Sequence, residues 1–219
     1  MIDSASHEVR PPDYQTLEDM LYQIHGSNGE ACREIYANYK DLFQTAPGSS
    51  HNHQAWPGGY QDHVTEAMNL ASALYDTLDA ARVLPFEKSD ALLVMFLHDL
   101  EKPFKYMIDE QGNLSDNPAI PDKKARAAKR QEVMDQYGIE LNAQQANAMR
   151  YVEGIRDEDY TPKKRIMGEL AALCHCADIL SARLWYNHPL AEGDDGWQQA
   201  ARVNPAAASF ILNSEITEA

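Results

Sequence analysis

Apolar positions in this chain recur with a helical period and seldom alternate as the face of a half-buried strand would. The clearest run is Val64, Ala67, Met68, Ala71, Leu74, Tyr75 and Leu78, which predicts one long amphipathic helix. Ahead of it, residues 14–25 and 30–44 read as two short helices separated by Gly26-Ser27-Asn28-Gly29. Residues 45–59 read as a loop that closes on Pro57-Gly58-Gly59. After Pro85, the stretch Ala91-Leu92-Leu93-Val94-Met95-Phe96-Leu97 is apolar on every side. So short a run also fits a buried strand, but its helical neighbours favour a central helix, ended by Pro103.

Residues 109–121 read as a polar loop, followed by a basic helix from about Asp122 to Tyr137 that stops at Gly138. Asn142 is the expected cap of the next helix, which ends at Gly154. Thr161-Pro162 then reads as the cap and first turn of a helix running to about Tyr186, before Pro189. Residues 191–196 form an acidic loop, and 197–212 a terminal helical region. No linker divides the chain. The expectation is a single all-α domain spanning 1–219, built as a helical bundle.

Length and composition agree with a soluble chain that buries a sizeable core. No apolar run approaches the roughly 20 residues of a membrane span, and MIDSASHEVRPPDY lacks a basic-then-apolar leader pattern, so a cytoplasmic location is expected. Three cysteines, Cys32, Cys174 and Cys176, suit a reducing compartment better than a disulfide framework. The formal net charge of −15 repels phosphate backbones, which argues against a partner such as long nucleic acid. A mononucleotide or short oligonucleotide stays compatible, because a bound cation reverses the field inside a pocket.

The candidate chemistry sits at the ends of apolar runs. His98-Asp99 closes the central run, and an ionised carboxylate at the edge of a core is costly unless a cation or several donors satisfy it. His63 stands early on the preceding amphipathic helix. Asp178 lies within Ala171-Ala172-Leu173-Cys174-His175-Cys176-Ala177-Asp178-Ile179-Leu180, where an ion pair with Arg183 or Lys102 would be the plain alternative to coordination. Imidazole nitrogens with carboxylate oxygens suit Mn, Fe, Co, Ni or Zn. Four such ligands leave open positions on an octahedral ion for water and a phosphate oxygen.

The order His63, His98-Asp99, Asp178 resembles the signature of the HD-domain metal-dependent phosphohydrolases. Ala46-Pro47, His53, Ala55-Trp56-Pro57-Gly58-Gly59 and Asp62-His63 look like the segment entering the HD domain of YhaM-type 3′-5′ exoribonucleases. Leu97-His98-Asp99-Leu100-Glu101-Lys102 is similar to that family's next stretch, with Glu101 where glycine is usual, and Cys176-Ala177-Asp178 with Arg183-Leu184 resembles its closing helix. The resemblance spans about residues 45–186, making these the metal-binding core and 1–44 and 187–219 helical extensions packed on it. It implies His63, His98, Asp99 and Asp178 as metal ligands, and Lys102 on the substrate phosphate or assisting the leaving group. No histidine occurs between His98 and His175, where the family carries further ligands, and the segment reads Tyr151-Val152-Glu153-Gly154. One ion is therefore favoured over two, with Glu153 an optional oxygen ligand. The family's oligonucleotide-binding domain is not expected within these 219 residues.

These readings converge on a phosphohydrolase that cleaves a phosphomonoester or phosphodiester of a nucleotide or short oligonucleotide. Asp99 is the candidate to orient or deprotonate the attacking water, and Lys102, four positions past His98, to neutralise phosphate if the helix continues. His53 and Arg183 are further candidates for substrate contact. The cluster Lys123, Lys124, Arg126, Lys129 and Arg130 is either an anion entrance or a solvated helix face. Cys174-His175-Cys176 is discounted as a zinc motif, because residues two apart on a helix point away from one another. A di-iron oxygenase and a non-catalytic binding protein on the same scaffold are the competing functional classes.

Overall fold

The computed structural model describes residues 15–49, 53–108 and 114–184. The predicted elements at 191–196 and 197–212 lie outside them, as does His51. Within them the chain is mostly helical, as the periodicity implies.

Helix α1 (Leu17–Leu21) starts under the side chain of Thr16, which accepts from the backbone N–H of Asp19. Helix α2 runs Gly26–Thr45. Gly26-Ser27-Asn28-Gly29 is therefore not a separator but its first turn. Tertiary contact outweighs the weak helix propensity there: Asn28 Nδ2 donates to the Glu140 carbonyl at 2.8 Å and Asn28 Oδ1 accepts from the Glu140 N–H at 3.0 Å. Helix α3 (Gly59–Ala81) carries the amphipathic stripe, and its buried side includes His63, Val64, Ala67, Met68 and Ala71. Helix α4 (Lys88–Leu97) is the apolar run, opened by a reciprocal capping box between Glu87 and Asp90. Every residue from Ala91 to Leu97 is buried, because α2, α3 and, further along the chain, α7 (Ala143–Tyr151) and α8 (Glu169–Arg183) surround it. Phe43 of α2 anchors that packing, edge-on to Tyr60 at 4.9 Å and stacked on Phe96 at 5.8 Å.

After α4 the chain turns through residues 98–101 into the single turn α5 (Lys102–Lys105). A two-stranded antiparallel hairpin follows, β1 (Tyr106–Ile108) with β2 (Leu114–Asp116). The polar loop expected at 109–121 thus contains a strand, whose three residues are too few to show alternation in sequence. Helix α6 (Lys123–Gln136) is capped by Asp122 and followed by Gly138 at positive φ, and Asn142 caps α7 through the N–H groups of Gln144 and Gln145.

The expected start of the last helix at Thr161-Pro162 is a correction. Residues 155–168 form turns, and α8 begins only at Glu169. Lys163-Lys164-Arg165 offers no apolar stripe to bury, so a cap signal there has no helix to cap. The chain is held instead by Asn147 of α7, which donates to the Ile166 carbonyl at 2.8 Å and accepts from the Gly168 N–H at 2.8 Å.

Pro57-Gly58-Gly59 has a clear structural task. Gly58 has φ +78 at the N-terminus of α3, and a Cβ there would stand 2.9 Å from the Gln44 carbonyl oxygen. A Cβ on Gly59 would collide with the carbonyl oxygen of Gln54. The two bare residues let the 53–58 loop press against the start of α3, beside His63.

Candidate metal centre

His63 from α3, His98 at the C-terminal end of α4, Asp99 in the turn after it and Asp178 from α8 meet at one point. His63 Nε2 lies 3.3 Å from His98 Nε2, 3.6 Å from Asp99 Oδ2 and 3.2 Å from Asp178 Oδ1. His98 Nε2 lies 3.2 Å from Asp99 Oδ2 and 3.5 Å from Asp178 Oδ1. A shell with metal–ligand bonds of about 2.1 Å has neighbouring ligand atoms about 3.0–3.4 Å apart, whether octahedral or tetrahedral. The observed spacings of 3.2–3.6 Å are of that size. His63, His98 and Asp178 each offer an atom within 4.8 Å of the others. Asp99 joins through its contacts to both imidazoles. The residues fit a divalent transition ion.

Hydrogen bonds on the far side of each ring decide which nitrogen faces the centre. His98 Nδ1 lies 2.7 Å from the Met95 carbonyl, which can only accept, so Nδ1 carries the hydrogen. His63 Nδ1 lies 3.0 Å from Ser181 Oγ, and Ser181 spends its only hydrogen on Glu66 Oε2 at 2.8 Å. Ser181 must therefore accept from His63 Nδ1–H. Both rings turn Nε2 towards two carboxylates. Two carboxylates this close to two buried imidazoles call for positive charge among them, supplied by a proton or a metal ion, and an Nδ1–H anchored on a carbonyl or hydroxyl behind the ring is the arrangement found behind metal-bound histidines.

The electrostatics show the same demand. Burial alone would push the His98 imidazole down, but the carboxylates of Asp99 and Asp178 outweigh it and raise it to about 10. Burial would likewise push Asp178 up, yet the imidazoles of His63 and His98 beside it hold it well below the usual carboxylate range. Asp99 is also held down, against burial, by the Lys102 ammonium and His98. Lys102 Nζ lies 2.5 Å from Asp99 Oδ2. It does not reach there on a continuous helix: α4 ends at Leu97, and Lys102 opens α5 three residues beyond Asp99.

The remaining sequence candidates divide. His53 stands over His63 with ring centroids 4.8 Å apart, and burial pushes its imidazole down to about 4, so it is neutral near pH 7. Arg183 is exposed on the last turn of α8, and Glu153 is exposed after α7; neither reaches the four converging groups. On α8, Cys174 is buried and Cys176 exposed, on opposite faces as their spacing requires. His175 donates or accepts at the Val152 carbonyl, 2.7 Å from Nδ1, and since a carbonyl accepts, the ring donates.

The basic helix α6 takes a partly structural role. Arg130 donates to the His98 carbonyl and to Glu101 Oε2, the latter at 3.1 Å, bracing the turn that carries His98 and Asp99. Lys129 pairs with Glu132 at 2.8 Å and lies over the Phe104 ring. Sequence reasoning missed Gln54, Glu66 and Ser181, and it missed the bracing role of Glu101 and Arg130. For two of them a signal existed: Glu66 follows His63 by three, and Ser181 follows Asp178 by three, so each shares its ligand's helix face. Neither family models, nor curated proteins, nor solved structures match this chain.

Proposed function

We propose that this chain is a metal-dependent phosphohydrolase acting on a small phosphorylated substrate of the nucleotide class. The observation that carries the reading is the convergence of two imidazole Nε2 atoms with Asp99 and Asp178 at coordination spacing. The ordered motif text from Ala46 to Leu184, similar to HD-domain phosphohydrolases, supports the same reaction class.

His63, His98, Asp99 and Asp178 would hold one divalent ion of the Mn, Fe, Co, Ni or Zn group. When bound, such an ion brings a water of near-neutral pKa and draws charge from phosphoryl oxygens. Asp99, beside that position, would orient the attacking water or take its proton. Lys102, whose ammonium is kept charged by Asp99 in spite of its burial, moves a positive charge onto the phosphate. His53, neutral over His63, faces the substrate as a hydrogen-bond partner, and Arg183 offers an exposed cation for a more distant anionic group.

The test is a titration of metal-free protein with Mn, Co and Ni, followed by a panel of phosphomonoesters, phosphodiesters and nucleotides. Tight binding of one ion and release of phosphate or nucleoside are expected, and Asp99→Ala should abolish turnover. Failure to bind any of these ions overturns the reading, and so does hydrolysis that Asp99→Ala leaves intact.

A further inference from the structure

Behind the cluster sits a residue that neither motif nor ligand logic singles out. Gln54 is 5 % exposed and has φ +42, the one non-glycine with positive φ among the described residues. A side chain with a long stem is disfavoured in that conformation and persists only where its surroundings hold it. Here they do. Gln54 Nε2 donates to Glu66 Oε2 at 2.9 Å and to the Ser181 carbonyl at 3.2 Å. Both are acceptors, which fixes the amide orientation and leaves Oε1 for the opposite side. Oε1 lies 2.6 Å from His53 Nδ1, so His53 donates from Nδ1 and presents an unprotonated Nε2.

One amide therefore touches two chains of hydrogen bonds. Through Oε1 it sets the tautomer and tilt of His53. Through Nε2 it holds Glu66, which takes the Ser181 hydrogen, which makes Ser181 the acceptor for His63 Nδ1–H. The His53 backbone is pinned independently: Ser49 Oγ accepts its N–H and donates to its carbonyl, both at 2.9 Å. With the loop already fixed, the amide's contribution is orientation of the ring. Three elements meet at this side chain: the loop before α3, α3 itself and α8.

We propose that Gln54 is a positioning residue that locks His53 and the metal ligand His63 into matched tautomers, each with its hydrogen on Nδ1 and its Nε2 left free to accept or to coordinate. The strained backbone of Gln54 is what aims its side chain inward at both. The part of this inference that concerns turnover rests on the metal-dependent hydrolase reading; the part that concerns tautomers stands without it.

Two substitutions separate the arms. Gln54→Gly relieves the positive φ and removes the amide, so both rings lose their partner chain. Gln54→Glu keeps an acceptor for His53 Nδ1–H but has no hydrogen to give Glu66 or Ser181. The readout is the nitrogen-15 spectrum of the imidazoles in metal-free protein, with circular dichroism as the check of folding, together with Mn affinity and the split of kcat from KM. Gln54→Gly should replace single-tautomer patterns at His53 and His63 by averaged ones and weaken Mn binding by about 10- to 100-fold. Gln54→Glu should disturb His63 and Mn affinity while His53 keeps its wild-type pattern.

Unchanged His53 and His63 spectra in both folded variants overturn the proposal. If one variant does not fold, the other alone decides by the same criterion. Should both fail to fold, Ser181→Ala, which removes the acceptor of His63 Nδ1–H and leaves the Gln54–His53 contact in place, must shift the His63 pattern without moving His53, or the relay is refuted. Tautomer changes as stated in a protein that binds no metal and hydrolyses nothing would sink the hydrolase reading and leave the positioning role standing.

Discussion

Metal binding at this centre should expel a proton, and the structure says which one. In metal-free protein the four converging groups need a positive charge, and His98, raised to about 10 by Asp99 and Asp178, takes it up as a hydrogen on Nε2. An ion can coordinate that nitrogen only after the hydrogen leaves. With a pKa of about 10, His98 is more than about 99 % protonated near pH 7.5, whereas an imidazole at an ordinary value of about 6.5 would be only about 10 % protonated. Each bound ion should therefore release about one proton from this site rather than about a tenth of one. Apparent affinity should tighten about tenfold per pH unit, or about 1.4 kcal/mol, and so about 100-fold between roughly pH 6 and roughly pH 8.

Calorimetric titration with Mn in buffers of different ionisation enthalpy counts the released protons directly. A dissociation constant that is flat above about pH 7, with close to no proton released, would refute the electrostatic account of the centre. Linkage supplies a second reading of the same group. A folded-state pKa raised above the unfolded value stabilises the fold fully below the unfolded value of about 6.5, and that contribution is lost as pH rises through about 10. Metal-free protein should lose thermal stability across that window, and metal-loaded protein should not. Asp99 and Asp178, both held low, contribute in the opposite sense: their stabilisation is present above about pH 4 and disappears as pH falls further.

Two further substitutions test the surroundings of the four groups. Lys102→Met removes the cation nearest Asp99 Oδ2, so Mn should bind more tightly while kcat/KM on a phosphate ester falls by about 100-fold or more; a variant with both quantities unchanged would remove Lys102 from the phosphate-binding role. Arg130→Met leaves Glu101 buried without its partner and takes a donor from the His98 carbonyl, which should cost about 2–3 kcal/mol in urea unfolding, limited because burial already pushes the Glu101 carboxyl up and lets it take a proton. Adding Glu101→Gln should restore part of that loss, and no recovery would mean that Arg130 acts through packing alone.

What was legible in the sequence follows from how far each signal reaches along the chain. The stripe from Val64 to Leu78 and the unbroken run from Ala91 to Leu97 are local patterns, and they became α3 and α4 because burial follows periodicity over several turns. The four converging residues were legible for a related reason: His63, His98, Asp99 and Asp178 each interrupt an apolar face, and a polar group placed there must be satisfied by something. Thr161-Pro162 misled because a cap is only an end signal, and Lys163-Lys164-Arg165 gave the helix no buried face to hold. The supports of the centre lie beyond local patterns altogether. Gln54 meets Ser181 across 127 positions and Arg130 meets His98 across 32, so their roles exist only once the helices have packed. The tautomer of His63 is thus set by the tertiary fold and not by the helix that carries it, and a change in α8 that left Asp178 untouched but moved Ser181 would act on the centre through a side chain more than a hundred residues away.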